Sequence, residues 1–131
     1  MKLLENKVAL ITGGSRGIGR SIVEKFVSNG CNVAFTYNRS ASEAELIESN
    51  LSKKNLKIKG YKSDASKFKE AELLANSVVS EFGKIDILVN NAGITKDNLL
   101  MRMSEDDFNQ VLSVNLNSVF NMTKAVQREF L

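Results

Sequence analysis

Short apolar runs alternate with amphipathic segments along this chain. Four runs are rich in aliphatic and β-branched residues and are bounded by polar residues or glycine, which is typical of β-strands. They cover residues 8–11 (VALI), 32–37 (NVAFTY), 57–62 (KIKGYK) and 85–89 (IDILV). The third run predicts the weakest strand, because Gly60 interrupts it and lysines alternate with Ile58 and Tyr61, as at a sheet edge.

The segments between these runs predict helices. Ile18, Ile22 and Phe26 recur at helical spacing, and Asn29-Gly30 follows as a stop signal. A capping box at Ser42-x-x-Glu45 predicts a polar helix to about residue 51. Ser66 is predicted to cap a third helix that Gly83 ends, and Ser104-x-x-Asp107 to open a fourth. The expected apolar stripes are Phe68, Ala71, Leu74, Ala75, Val78 and Phe82 in the third helix, and Phe108, Leu112, Leu116 and Phe120 in the fourth.

This alternation predicts the fold class. The continuous apolar character of residues 85–89 indicates burial on both faces, as in a parallel sheet covered by helices. Strands that alternate with helices give a doubly wound α/β fold with right-handed crossovers, whose ligands bind beyond the carboxyl ends of the strands. A length of 131 residues fits a single domain.

The turn after the first strand is rich in glycine. Residues 8–19 read VALITGGSRGIG, so an apolar run passes through Gly13, Gly17 and Gly19 into a helix. Glycine allows a tight turn and a close approach of the backbone to a phosphate, and the N–H groups of a helix N-terminus favour an anion. The turn is therefore a candidate pyrophosphate site.

Two other interpretations fit this turn. Residues 14–21 (GSRGIGRS) nearly match the triphosphatase pattern G-x-x-x-x-G-K-[ST], but Arg20 replaces the lysine. The run at 85–89 also ends in Asn90 and Asn91, where such an enzyme needs a magnesium-binding acid. A plain strand-turn-helix with three permissive glycines is the other alternative.

Composition excludes several classes of function. The net charge is +3, with lysines interleaved among acidic residues, which does not favour a nucleic-acid partner. One cysteine, Cys31, and no histidine exclude an internal disulfide and a cysteine or histidine metal cluster, so no metal is expected. No apolar run reaches membrane-spanning length, and the N-terminus lacks a signal peptide. We therefore expect a cytoplasmic protein, or one in an organellar stroma if a transit peptide has been removed.

Four features in order carry a resemblance to a known family. They are TGGSRGIG at 12–19, Asp64 after the third strand, NNAG at 90–93 and Asn115 in the last helix. Together they resemble the short-chain dehydrogenase/reductase family, and the stretch NNAGITKDNLLMRMSEDDF at 90–108 is similar to the 3-oxoacyl-acyl-carrier-protein reductases of fatty-acid synthesis. The resemblance implies a Rossmann-type sheet of order 3-2-1-4, an NADP-binding domain over residues 1–131, and the reduction of 3-oxoacyl-acyl-carrier-protein by NADPH.

The resemblance also implies roles for single residues. Asp64 would accept a hydrogen bond from the adenine amine, Asn90 and Gly93 would flank the adenosine ribose, and the backbone carbonyl of Asn115 would hold a water of the catalytic proton relay. The full set of cofactor-binding candidates is Thr12, Gly13, Ser15, Arg16, Gly17, Ile18, Gly19, Asn38, Arg39, Ser40, Asp64, Ala65, Asn90, Ala92 and Gly93.

The residues after the second strand bear on cofactor choice. An acid about 20 residues after the glycines binds the ribose 2′-hydroxyl of NAD, but residues 37–40 read YNRS. Arg39, joined by Arg16, can instead bind a 2′-phosphate. NADP(H) is the expected cofactor.

The family's catalytic tyrosine and lysine are not found. Tyr37 and Tyr61 are followed four residues later by Ala41 and Ala65, so Y-x-x-x-K does not occur. The resemblance covers the first half of the family's chain, so we expect these 131 residues alone to be inactive. The alternative is an inactive nucleotide-binding or subunit-interaction module. The resemblance also implies two partners: an acyl carrier protein that bears a 3-oxoacyl group, and further copies of this protein, which would form a tetramer in the complete enzyme. An open edge at the fourth strand favours association of the isolated chain.

Overall fold

A computed structural model describes residues 2–39, 41–52, 55–93 and 100–131. Within them, one parallel sheet contains four strands: β1 (Val8–Ile11), β2 (Asn32–Tyr37), β3 (Ile58–Lys62) and β4 (Ile87–Val89). All pairings are parallel and the strand order is β3-β2-β1-β4. The predicted α/β fold and its 3-2-1-4 order are confirmed.

Four α-helices connect and cover the strands. They are α1 (Gly17–Ser28), α2 (Ala41–Leu51), α3 (Phe68–Phe82) and α4 (Glu105–Phe130), and a short 3-10 helix covers Leu100–Arg102. Gly83 ends α3 in a left-handed conformation, with φ 89°, as predicted. The hydroxyl of Ser104 accepts a hydrogen bond from Asp107 N at 3.0 Å, so the predicted N-cap of α4 is confirmed.

The core lies on both faces of the sheet. Ala9 and Ile11 of β1 point to the face covered by α1 and α2, whereas Leu10 points to the face covered by α3 and α4. All three residues are completely buried, which explains the unbroken apolar run of β1. The side chains of β4 are only half-buried, because β4 lies at the edge of the described sheet.

The apolar face of α4 differs from the prediction, and that of α1 differs at one residue. In α1 the predicted Ile22 and Phe26 pack against the core beside Val23 and Val27, whereas Ile18 is 74% exposed. Gly19 fits directly against the turn after β1, and this contact sets which face of the helix is buried. In α4 the buried residues are Ser118, Asn121, Met122 and Val126. The predicted stripe of α4 instead lies on its exposed surface: Phe108, Leu112, Leu116 and Phe120.

Two predicted helix caps are also wrong. α3 begins at Phe68 with Lys67 as its N-cap, because the Ser66 hydroxyl donates a hydrogen bond to Asp64 Oδ1 at 2.6 Å instead of capping the helix. Ser42 lies inside α2, which begins at Ala41. Serine hydroxyls have several local partners, so spacing alone does not identify which one they bind.

Gly60 of β3 has a packing role. A Cβ atom built on it would lie 2.9 Å from two ring atoms of Phe35, a fully buried residue of β2. Glycine therefore makes room for a large core aromatic ring, and β3 remains a strand at the predicted sheet edge.

Candidate functional site

The carboxyl ends of the strands surround a cavity of about 480 Å³. Each strand end and α4 contribute to it, as expected for the ligand crevice of a doubly wound sheet. Its lining comprises Gly13, Ser15 and Arg16 after β1, Thr36, Tyr37, Asn38 and Arg39 at the end of β2, Ser63, Asp64 and Ala65 after β3, Asn91, Ala92 and Gly93 after β4, and Val114 and Ser118 of α4.

Hydrogen bonds to β2 hold the glycine-rich turn. Gly13 N donates to the Thr36 hydroxyl at 2.9 Å, and Gly14 N donates to the Thr36 carbonyl at 2.9 Å. Gly13 has φ 67°, which favours glycine at this position. The turn is therefore fixed by one buried threonine whose role the sequence analysis missed.

The turn is also joined to the loop after β4. The Thr12 hydroxyl accepts hydrogen bonds from Asn91 N at 3.0 Å and Ala92 N at 2.9 Å, and Asn91 Nδ2 donates to the Gly13 carbonyl at 3.0 Å. Thr12 is 1% exposed and does not line the cavity. Its side chain instead connects two of the loops that form the cavity.

Gly19 and Gly17 are glycines for different reasons. A Cβ atom on Gly19 would lie 2.0 Å from the Gly13 carbonyl oxygen and 2.6 Å from Asn91 Nδ2. A Cβ atom on Gly17 would meet no described atom within 4 Å, so packing within the chain does not require glycine there. The reason at Gly17 is its backbone conformation, with φ 60°.

Two arginines line the cavity near the N-terminus of α1 and the end of β2. Arg16 is the N-cap residue of α1, whose first turn contains no acidic residue. Arg39 lines the same cavity from the loop after β2. Among the described lining residues, Asp64 is the one acid, and it lies after β3. The arrangement suits an anion held between the N-terminus of α1 and the end of β2.

Arg20 occupies the position of the triphosphatase lysine. Its Nε lies 3.1 Å from Glu24 Oε1 on the exposed surface of α1, and Arg20 does not line the cavity. The structure therefore places no basic side chain from this position at the cavity, which counts against the triphosphatase interpretation.

Local hydrogen bonds fix the wall after β3. Asp64 Oδ1 accepts hydrogen bonds from Ser66 N at 3.0 Å and from the Ser66 hydroxyl, so the Asp64 side chain caps the turn that follows β3. Asp64 N donates to Glu70 Oε1 at 3.0 Å, and buried Asn121 Nδ2 donates to the Ala65 carbonyl at 3.0 Å. The second carboxylate oxygen of Asp64 accepts none of these bonds.

Some predicted site residues lie at the border of the cavity or outside it. Asn90 Nδ2 donates to the Thr123 hydroxyl at 3.4 Å, and Asn90 is absent from the lining, as are Gly17, Ile18 and Gly19. Asn115 lies beside Gly93, where an added Cβ atom would be 2.7 Å from Asn115 Oδ1. Ser40 lies outside the described residues.

Sequence reasoning missed six lining residues: Thr36, Tyr37, Ser63, Asn91, Val114 and Ser118. Asn91 is part of the NNAG motif and Ser63 directly precedes Asp64, so predicted site residues next to them could have indicated both. Thr36 lies within the apolar run of β2, and no motif near Ser118 indicates a role in the site.

No group of three metal-ligating side chains occurs among the residues that the structure describes. None of the helices in that part of the chain has the length and apolar character needed to cross a bilayer.

A family model described as short chain dehydrogenase matches residues 7–131. The chain belongs to the short-chain dehydrogenase family. Among curated relatives, a 3-oxoacyl-[acyl-carrier-protein] reductase of Staphylococcus epidermidis is 44% identical over 126 residues, covering 96% of this chain and 52% of the relative. The same reductase of Salmonella typhimurium is 44% identical over 127 residues, covering 97% of this chain and 50% of the relative. The chain thus spans about half the length of these short-chain dehydrogenases.

Solved structures of the family resemble this chain throughout. A short-chain dehydrogenase/reductase from Serratia marcescens superposes with a TM-score of 0.88 at 39% identity, covering 96% of this chain and 51% of its own. A short-chain dehydrogenase from Burkholderia cenocepacia in complex with NADP gives a TM-score of 0.89 at 34% identity, with the same coverage.

Proposed function

We propose that this chain is the NADPH-binding half of a 3-oxoacyl-acyl-carrier-protein reductase. The observation that carries the choice of cofactor is that Arg16 and Arg39, which are 23 positions apart in sequence, line one cavity. No acid follows β2 to bind a ribose 2′-hydroxyl, since residues 37–40 read YNRS. Two guanidinium groups there favour a 2′-phosphate.

The cavity fits a dinucleotide. The turn is closely packed, because a Cβ atom on Gly13 would lie 3.1 Å from Ala92 Cα and one on Gly19 would lie 2.0 Å from the Gly13 carbonyl oxygen, so its backbone shape requires both glycines. The N-terminus of α1 offers backbone N–H groups for a pyrophosphate. The rest of the cavity stays open between the loops after β3 and β4, because small residues line it there: Ala65, Ala92 and Gly93. When bound, NADPH would supply a hydride to a ketone carbon.

The chain's own residues bind and orient the cofactor. Reduction of a 3-oxo group also needs a proton donor within hydrogen-bond reach of the developing alkoxide. We propose that this donor belongs to residues outside these 131, which contain no Y-x-x-x-K and no histidine. The substrate class rests on the likeness to the reductases of Staphylococcus epidermidis and Salmonella typhimurium.

Arginine variants test the choice of cofactor. We expect the wild-type chain to bind NADPH tenfold to a hundredfold more tightly than NADH, since one charge-assisted hydrogen bond contributes about 1.5–3 kcal/mol. Arg39→Ala and Arg16→Ala should reduce that ratio, and the double variant should bring it close to one. Arg20→Ala is the matched control, because Arg20 pairs with Glu24 away from the cavity. A ratio that stays unchanged in the double variant contradicts the assignment.

Turnover by a longer protein that includes these residues separates the two candidate functions. The reductase proposal expects the 131 residues to bind NADPH without oxidising it when a 3-oxoacyl thioester is added, and a longer protein that includes them to oxidise it. A longer protein that binds NADPH but leaves the thioester unreduced favours the alternative, a nucleotide-binding or subunit-interaction module.

An apolar surface on α4 supports association between copies of the chain. Phe108, Leu116 and Phe120 are each more than half exposed on one helix. Large exposed apolar side chains grouped in this way are typical of an interaction surface. We propose that the complete enzyme is a homo-oligomer that acts on a substrate carried by acyl carrier protein. Sedimentation of the isolated chain at micromolar concentration tests association, and a sharp monomer boundary contradicts it.

A further inference from the structure

Gly13 is held by both strands that neighbour β1. Its N–H donates to the Thr36 hydroxyl of β2 at 2.9 Å, and its carbonyl accepts from Asn91 Nδ2, after β4, at 3.0 Å. A Cβ atom on Gly19 of α1 would lie 2.0 Å from that carbonyl oxygen. One peptide unit therefore contacts β2, α1 and the loop after β4, so the loss of any of these contacts displaces the start of the glycine-rich turn.

Thr36 accepts both of the hydrogen bonds that join the turn to β2. Its hydroxyl accepts from Gly13 N and its carbonyl accepts from Gly14 N, each at 2.9 Å. Thr36 is 2% exposed, and a Cβ atom on Gly14 would lie 2.6 Å from Phe35 Cβ, so the turn lies directly on the end of β2. Without the hydroxyl, Gly13 N would lose its acceptor, and the turn would have to move to satisfy it.

The N–H groups that follow these two are free. The backbone N–H groups of residues 15–19 donate to no residue in the part of the chain that the structure describes, and the next bond along the chain runs from Arg20 N to the Arg16 carbonyl at 3.3 Å. The first N–H groups of a helix have no partner within the helix, and successive free N–H groups bind anions. Thr36 therefore binds the turn immediately before the N–H groups that are available to a ligand.

We propose that Thr36 is a positioning residue, whose hydroxyl places the free N–H groups of residues 15–19 for a pyrophosphate. This inference rests on the proposed function, since it needs a dinucleotide in the cavity. Arg39 follows Thr36 by three positions, so one strand end positions the turn through Thr36 and supplies charge for a 2′-phosphate through Arg39. The two roles differ by ligand, because NADPH and NADH share the pyrophosphate and only NADPH carries the 2′-phosphate.

Thr36→Val removes the hydroxyl and keeps the branched shape that suits a strand. We expect this variant of the 131-residue chain to bind NADPH and NADH more weakly by the same factor, about tenfold, which corresponds to the loss of about one charge-assisted hydrogen bond. The ratio of the two affinities should keep its wild-type value, because Arg39 is not changed. Thr36→Ser keeps an acceptor for Gly13 N and should restore most of the affinity.

Two further measurements separate positioning from other roles of Thr36. Gly83→Ala is the control for stability, because Gly83 ends α3 with φ 89° and does not line the cavity. Nuclear magnetic resonance of the ligand-free chain reports the turn itself. Thr36→Val should shift the amide resonances of the turn glycines, and Thr36→Ser should shift them less.

Three results would overturn the proposal while the wild type still binds NADPH, and they leave the proposed function standing. A lower melting temperature with unchanged affinity for both dinucleotides, as expected for Gly83→Ala, would show a purely structural role. Weaker binding with unchanged glycine resonances would show that the hydroxyl contacts the ligand itself. A loss confined to NADPH would show that Thr36 acts at the 2′-phosphate.

Failure of the proposed function gives a different result. If the folded wild type does not bind NADPH, the proposed function fails, and this inference fails with it. Should Thr36→Val not fold, Thr36→Cys replaces the hydroxyl with a poorer acceptor, and unchanged affinities in that variant contradict the proposal.

Discussion

Gly19→Ala is the perturbation whose consequences the structure defines most closely. The new Cβ atom would lie 2.0 Å from the Gly13 carbonyl oxygen and 2.8 Å from the Gly13 carbonyl carbon. Both are backbone atoms, so no side-chain rotation relieves the overlap. The turn must move by roughly 1 Å, and it would lose the bond from Asn91 Nδ2 to the same carbonyl. Overpacking of this kind costs about 1–3 kcal/mol of the free energy of unfolding.

The effect on binding follows from the same displacement. The turn carries the N–H groups that are proposed to face the pyrophosphate. Loss of two charge-assisted hydrogen bonds at about 1.5 kcal/mol each corresponds to roughly a hundredfold weaker binding. We therefore expect Gly19→Ala to raise the dissociation constant of NADPH about a hundredfold, and Gly19→Val to abolish binding, as followed by the fluorescence of the reduced nicotinamide.

Gly83→Ala separates lost stability from lost binding. Gly83 has φ 89° and no described atom within 4 Å of an added Cβ, and it ends α3 away from the cavity. Left-handed backbone costs a non-glycine residue about 1–2 kcal/mol, so this variant should be destabilised by a similar amount and still bind NADPH normally. If Gly19→Ala binds NADPH as tightly as Gly83→Ala does, the glycine turn does not hold the cofactor.

Three further predictions concern the fold. Gly60→Ala should lower the free energy of unfolding, measured in urea, by about 1–3 kcal/mol, because the added Cβ atom meets the Phe35 ring at 2.9 Å. Phe35→Leu in the same chain should relieve part of that loss, and strictly additive effects of the two substitutions would contradict the contact. Burial raises the pKa of Asp86, but the hydrogen bond from Val8 N and the nearby Lys84 ammonium outweigh it and hold that pKa below its usual value, so the charged carboxylate stabilises the fold above the unfolded pKa and this stability is lost as the pH falls through the folded pKa. Asp86→Asn should therefore lose less stability than the wild type on acidification from about pH 5 to pH 3. Equal losses of stability in the two proteins would refute this prediction. Burial raises the pKa of the Cys31 thiol to about 11, so a disulfide reagent at neutral pH should label the native chain only as fast as it unfolds, and rapid labelling would be inconsistent with the buried position.

The elements that the sequence predicted correctly depend on local chemistry. β1 and β2 have the predicted limits because their apolar runs are bounded by polar residues and glycine. α3 ends where predicted because Gly83 adopts a conformation that suits glycine. In these cases a short segment contains both the element and its stop signal.

The features that the sequence missed depend on contacts between distant segments. Ile18 and Val23 are equally apolar, and the contact of Gly19 with the turn decides which one is buried. Asn91 reaches Gly13 only because β4 lies beside β1 in the sheet. Ser66 resembles an N-cap, yet Asp64 is its partner. The sheet order was implied by the family resemblance, but neither it nor the spacing specifies which side chains bind across neighbouring strand ends, so these partners could not be assigned before the fold was known.

Titration of the 131-residue chain with NADPH and with NADH, followed by calorimetry, tests the central claim most directly. The account predicts saturable binding of one NADPH per chain, with NADH bound tenfold to a hundredfold more weakly, because Arg16 and Arg39 line the same cavity. Absence of saturable NADPH binding by a folded chain, or equal affinities for the two dinucleotides, would contradict it.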